Sequence, residues 1–397
     1  MTVMRMRASG EERGTFMDQG VAVIGVGVTP LRPVSPELSQ RELIFEAATR
    51  AYADAGTEPS EVDSFISVSE DFHEGTSITD EYTPDQLGAV LRPVHTITGD
   101  GLQGLAAAFM LIQSGIADLV VVEGHCKTSN ILNHEEVLAM ALDPIYERPV
   151  GIPSHAIAAL EMRRYLHETG IPEEAVAAVV VKNRRNALRN PLASYGASLT
   201  VEEVQTSPPL ASPLRALHRS PYADGAVVLI LASSARARRS KGKPVWIRGI
   251  GWATETPWLA GRSWGKAAYT ALAAQMAYRM AGITSPRKEI DFGEVDDTYA
   301  YKELQHLQAL GLLAPQEAAN LAMEGGSNGF LPINASGGSL GMGYCFDATA
   351  LYRVAEAAWQ IRGEAGRHQI PGARTGVVCS WRGVPTTTGG VVVLQGD

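Results

Sequence analysis

The residues best placed for chemistry lie between Asn334 and Ala348, in the run Asn-Ala-Ser-Gly-Gly-Ser-Leu-Gly-Met-Gly-Tyr-Cys-Phe-Asp-Ala. Gly337, Gly338, Gly341 and Gly343 let the backbone turn sharply and come close to a ligand. A helix is predicted from about Phe346, because Ala348, Leu351, Val354 and Ala358 recur near a helical period. Tyr344 then stands where loop becomes helix, a place where unpaired peptide N–H groups can stabilise developing negative charge beside a phenol. A second glycine turn, residues 96–101, precedes a run from Leu102 to Ile112 that is apolar on every face and therefore reads as an enclosed helix.

The other reactive types promise less. Cys126, Cys345 and Cys379 have no Cys-x-x-Cys spacing, which argues against a disulfide framework or a zinc ribbon. Cys126 and Cys345 read as inert buried thiols; Cys379, near the end of a predicted strand over 376–379, deserves more suspicion. No histidine pair has metal-ligand spacing, so no metal is expected. The basic run 182–189 could attract phosphates, although a solvated helix face is the commoner meaning of such a run.

Composition bounds the rest. With 397 residues, 45% of them hydrophobic, the chain can bury a large core. A net charge of −9 without a long basic tract argues against a nucleic-acid partner. No run approaches the roughly 18 apolar residues of a membrane span, and the cysteine usage suits a reducing cytoplasm. Residues 1–20 read as a flexible leader.

Apolar, β-branched runs predict strands over 21–28, 65–68, 119–122, 177–181 and 226–231. Helical spacing from Ser39 stops at Gly56, and another helix is predicted over 156–169. The pattern then starts again: 245–251 echoes 21–27, Ala281-Gly282 echoes Ala55-Gly56, and Glu289-Ile290-Asp291 echoes Glu61-Val62-Asp63, each roughly 225 residues on. A late strand over 390–394 matches 226–231. Two similar βαβ-type halves follow, 21–240 and 241–397, whose glycine turns should share one cleft.

Four segments carry a resemblance: Ser114-Gly115-Ile116-Ala117-Asp118; the run from Val181 to Pro191; Ser220-Pro221-Tyr222-Ala223-Asp224-Gly225-Ala226; and Asn334-Ala335-Ser336-Gly337-Gly338. Together they resemble the thiolase superfamily, specifically its sterol-carrier-protein type, over about 21–394. The resemblance implies an α/β, five-layered αβαβα fold from two similar halves, a homodimer, acyl-CoA thioester substrates, and no cofactor beyond the CoA of the substrate itself.

The departures direct the functional reading. Counting back from Ser114 to the family's nucleophilic cysteine lands on Thr98, and Gly99, Asp100 and Gly101 supply no thiol. The family's Gly-His-Pro becomes Gly343-Tyr344-Cys345, and its His-Asp-x-Phe becomes Asp296-Asp297-Thr298-Tyr299. Two of these changes install a tyrosine. Retro-aldol cleavage of a β-hydroxy thioester needs proton transfers and an oxyanion site but no covalent thiol, and two phenols tuned from their usual value near 10 would serve. Tyr344 and Tyr299 are therefore the catalytic candidates, with Asp296 and Asp297 in support and Tyr301 as a weaker phenol. The turn residues Gly99, Asp100, Gly101, Gly337 and Gly338 are the candidate oxyanion and substrate donors. The pattern looks like the steroid side-chain-cleaving aldolases, which implies a 17-hydroxy steroid acyl-CoA substrate and a small OB-fold acyl-CoA-binding partner. Competing readings are a thiolase using Cys345 or Cys379, and a non-catalytic acyl-CoA-binding scaffold.

Overall fold

The computed structural model describes residues 20–70, 78–256, 258–325 and 331–397; the expected leader over 1–20 lies outside them but for its last residue. The strands are β1 (Val21–Val28), β2 (Ser64–Val68), β3 (Val94–Ile97), β4 (Leu119–Cys126), β5 (Pro209–Ala211), β6 (Leu214–Arg215), β7 (Gly225–Ser233), β8 (Val245–Thr254), β9 (Phe292–Glu294), β10 (Thr375–Trp381) and β11 (Thr388–Gln395). β5 and β6 pair with each other, and the others form one nine-stranded sheet in the order β3-β2-β4-β7-β1-β8-β11-β10-β9.

That order repeats outward from its middle. β1 and β8 meet antiparallel over only three residue pairs, Val21 to Val23 against Ile247 to Val245. On one side β1 pairs antiparallel with β7, β7 antiparallel with β4, and β4 parallel with β2. On the other, β8 pairs antiparallel with β11, β11 antiparallel with β10, and β10 parallel with β9. Strands of both halves are buried on both faces, which is why they read as continuous apolar runs.

Helices complete five layers. Gln40–Ala55 packs on the outer face of β1 and β7, and Ala268–Ala281 on that of β8 and β11. Each ends in a left-handed glycine, Gly56 and Gly282, as the sequence spacing predicts. Between the half-sheets lie Gly101–Gln113 and Thr349–Arg362, which touch each other and strands of both halves. The fold is thus α/β with an αβαβα layering.

Two local expectations fail. Residues 177–181 are not a strand but the middle of the helix Glu173–Ala187. The β-branched valines suggested a strand, yet Glu173 and Glu174 in the first turn and Arg184 and Arg185 in the last complement the helix dipole. Nor is the following basic run a solvated face throughout: Arg185 and Arg189 are exposed, but Lys182 and Asn183 are fully buried, their side chains held by Glu303 and, for Asn183, Asp297.

Candidate active site

The site is assembled where the C-terminal half meets a short segment of the N-terminal half. The peptide of Tyr344 is held on both sides: its N–H donates to the Pro221 carbonyl at 2.7 Å, and its carbonyl accepts from the Ala223 N–H at 3.0 Å. The N–H expected to be free is therefore paired. Gly343, at φ +121°, makes the turn from the Gly338–Met342 helix into this bridge. The same segment reaches Tyr299 from its other end. Arg219 forms an antiparallel bridge with Tyr299, Ser220 N–H donates to Thr298 O at 2.9 Å, and the Ser220 hydroxyl donates to Asp297 O at 3.0 Å. Residues 219–223 are thus a clip that bonds to both tyrosine-bearing segments.

The rings gather around Tyr222, in the middle of that clip. Tyr344 lies 6.2 Å from it and 5.2 Å from Phe346, both tilted. His134 stacks on Tyr222 at 4.0 Å, and the Arg219 guanidinium lies 5.2 Å from the ring centroid. Thr128 O, 3.2 Å from His134 Nε2, can only accept, so that nitrogen carries the proton. Burial pushes His134 below its usual value, so the ring is neutral at pH 7. Tyr299 borders Tyr301 and Trp381, each at 6.3 Å. Tyr301 itself donates to Glu161 at 2.8 Å and belongs to a separate buried network with Lys302.

Neither catalytic candidate is tuned toward neutrality. Burial pushes Tyr344 well up, Asp296, Asp347 and Tyr222 push it further, and Arg353 offsets only part. Burial likewise raises Tyr299, with Arg219 opposing, and lifts Tyr222 to about 12. All three are neutral phenols, fit to donate a proton or a hydrogen bond. The Tyr344 hydroxyl donates to Arg382 O at 3.3 Å, and Arg382 lines a cleft of about 460 Å³ together with Phe346, Asp347, Gly383, Val137 and Leu138.

The supporting carboxylates divide their work. Asp297 accepts from Asn183 at 2.8 Å and from Ser339 and Leu340 N–H at 2.7 and 3.1 Å, so it anchors the start of the Gly338–Met342 helix. Asp296 pairs with Arg353 at 2.8 Å; burial raises its pKa and Arg353 pulls it down.

Three of the five expected oxyanion donors have internal acceptors. Asp100 N–H goes to Gln103 Oε1 at 3.1 Å, Gly337 N–H to Asn334 O at 3.0 Å, and Gly338 N–H to Ser336 Oγ at 3.0 Å. Tight turns closed by Gln, Asn and Ser spend the N–H groups that an open loop would offer. Asp100 also caps its helix on Leu102 N–H and accepts from Ser380 at 2.6 Å. Gly99 and Gly101 flank it, Gly101 packed against Leu351.

No cysteine is poised as a nucleophile. All three are buried and none forms a disulfide. Burial, with Asp296 adding, pushes Cys379 up to about 12. Among the described residues no cluster of His, Cys, Asp or Glu could hold a metal ion, and no helix is long and apolar enough to cross a membrane. Sequence reasoning missed His134, Arg219 and Arg353, and took Tyr222 only as part of a motif; nothing in their spacing shows that the chain closes on itself here.

Residues 260–395 match the family described as Thiolase C-terminal domain-like. The chain is 32% identical over 385 residues to an acetyl-CoA acetyltransferase of Methanothermobacter thermautotrophicus, covering 94% of this chain and 98% of that protein. It is 28% identical over 386 residues to the 17-hydroxy-3-oxo-4-pregnene-20-carboxyl-CoA lyase of Mycobacterium tuberculosis, covering 92% and 97%. A solved structure named "Ltp2-ChsH2(DUF35) aldolase" superposes with a TM-score of 0.80 at 26% identity, over 95% of this chain and 98% of that one. With a thiolase-type five-layer fold and full-length relatives on this scale, the chain belongs to the thiolase superfamily.

Proposed function

We propose that this protein cleaves the carbon–carbon bond β to a CoA thioester by a retro-aldol step. The substrate would be a bulky β-hydroxy acyl-CoA, in particular a 17-hydroxy steroid side-chain ester giving a 17-ketosteroid and propionyl-CoA. The observation that carries this reading is the pair of neutral phenols Tyr344 and Tyr222, 6.2 Å apart, which the 219–223 clip ties to the segment of a third neutral phenol, Tyr299, in a fold whose cysteines are buried. In the reaction the β-hydroxyl loses its proton and becomes the carbonyl. The electrons of the broken bond pass to the thioester enolate, whose α-carbon then takes a proton. No net proton is consumed, so Tyr344 and Tyr299 can act as a relay without a standing phenolate. Likeness to a lyase named for a 17-hydroxy pregnene carboxyl-CoA supports the substrate class.

A homodimer, a cytoplasmic location and a small OB-fold acyl-CoA-binding partner belong to the same proposal. The partner is supported by likeness to a structure whose name joins Ltp2 with ChsH2(DUF35). Acyl transfer is the second reading, favoured by the acetyl-CoA acetyltransferase relative. Against it stand Thr98 at the expected nucleophile position and a Cys379 thiol held up near 12.

The test is to supply a β-hydroxy steroid-CoA, with and without the OB-fold partner, and identify products by mass spectrometry. Ketosteroid with propionyl-CoA is expected. A stable acyl adduct on cysteine after incubation with acetoacetyl-CoA would reject the retro-aldol reading in favour of transfer.

A further inference from the structure

The basic run 182–189 leaves one cation over. Lys182 and Arg184 are buried and the exposed Arg185 donates to the Gly325 carbonyl, whereas the exposed Arg189 lines a cleft of about 730 Å³. This cleft lies toward the other end of the Thr349–Arg362 helix from Tyr344, a separation of about 15 Å along the helix. Its apolar lining comes from Val26 and Val28 of β1, Leu192, Trp359 and Ala365.

Three guanidiniums from separate segments line it: Arg50, Arg189 and Arg367. Arg50 is occupied, since it donates to the Val28 carbonyl and pairs with Glu46. The acidic lining residues are also engaged. Glu356 pairs with His368 at 3.1 Å and accepts from Gln360 at 2.8 Å, and Glu364 lies 3.9 Å from Arg362. Among the described residues, neither the Arg189 nor the Arg367 guanidinium has a carboxylate partner. Arg189 follows the C-terminus of Glu173–Ala187 and Arg367 that of Thr349–Arg362, so the cations that suit two separate helix ends line one cleft. In a chain of net charge −9, two arginines without a carboxylate partner therefore line one partly apolar cleft. An anion in the cleft would be attracted by both charges, and the planar fork suits a carboxylate.

We propose that this cleft binds an amphipathic carboxylate, its head between Arg189 and Arg367 and its apolar body against Val28, Leu192 and Trp359. A hydrophilic anion would leave the apolar lining unused, and a neutral lipid would leave both guanidiniums unpaired. The volume suits a ligand of ordinary metabolite size. The proposal does not depend on the reaction at Tyr344.

Calorimetric titration of the full chain with decanoate, decanol and inorganic phosphate tests it, with tryptophan emission locating the site. Saturable decanoate binding is expected, roughly tenfold or more tighter than decanol or phosphate, and weakened about as much in Arg189→Gln/Arg367→Gln. Trp359→Phe should abolish the emission change while calorimetry still detects binding. Both arginines are exposed, so the double variant should keep the circular dichroism and Tm of the wild type. Decanoate binding no tighter than decanol, or unchanged in the folded double variant, overturns the assignment. So does an emission change that survives Trp359→Phe.

Discussion

Tyr344 is surrounded by groups that keep its proton on. Its ring is buried, with Asp296 and Asp347 raising its pKa and only Arg353 working the other way. A phenol so placed donates, and its removal should be felt in turnover. Tyr344→Phe keeps the ring contacts with Tyr222 and Phe346 and removes one hydroxyl hydrogen bond. We expect kcat on a β-hydroxy steroid-CoA to fall by about 10²–10⁴, with KM within a few-fold and Tm within a few degrees. Unchanged turnover would remove Tyr344 from the chemistry. Cys379 makes the complementary case. Its thiol, fully buried and raised to about 12, should resist iodoacetamide at pH 8 until the protein is unfolded, and Cys379→Ala should keep turnover within about threefold. Rapid native alkylation with loss of activity would restore a thiol mechanism.

At the scale of elements, the decisive piece is the clip over 219–223, which bonds backbone to backbone with both tyrosine-bearing segments. Arg219 also lowers the pKa of Tyr222 and Tyr299 against the dominant effect of burial. Arg219→Met should therefore push both phenols further up and weaken them as proton donors, reducing kcat about tenfold at pH 7 with a smaller change in KM. Arg219→Lys should recover much of the loss. Equal loss in both variants, accompanied by a drop in Tm, would make Arg219 merely structural. This clip also marks the limit of what the sequence discloses. β1, β7 and β11 were legible because strands buried on both faces are apolar throughout, β8 because its start echoes β1, and helix ends were legible at Gly56 and Gly282 because few other residues take that conformation. Tyr344 and Tyr299 stood out only against a family pattern. The strand expected over 177–181 failed because a short apolar run has the same composition in a buried helix. The fate of the Gly337 and Gly338 N–H groups depended on whether Asn334 and Ser336 turned back on them, which spacing does not encode.

For the molecule as a whole, the central layer is where charge is stored. Glu294 on β9 is pushed up to about 8 by burial and by the neighbouring charge of Glu356, while Ser336 donates to it. A carboxyl whose pKa is raised on folding stabilises most fully below its unfolded value of 4.5 and loses that contribution as pH rises through about 8. The Glu294 contribution to thermal stability, read as the difference between wild type and Glu294→Gln, should therefore decline across roughly pH 4.5–8. Glu294→Gln, which imitates the protonated acid, should lack that decline and melt higher than wild type at pH 8; an equal offset at every pH would contradict the assignment. The seam at the middle of the sheet has a different consequence. β1 has β7 on one side and β8 on the other, both roughly 200 residues downstream. At about 5–20 residues per second, the nascent segment waits about 10–40 s on the ribosome before either neighbour has been translated. Through that interval an entirely apolar ribbon has both edges open, so we expect chaperones that shield newly made chains to raise the yield of folded protein in cell-free synthesis.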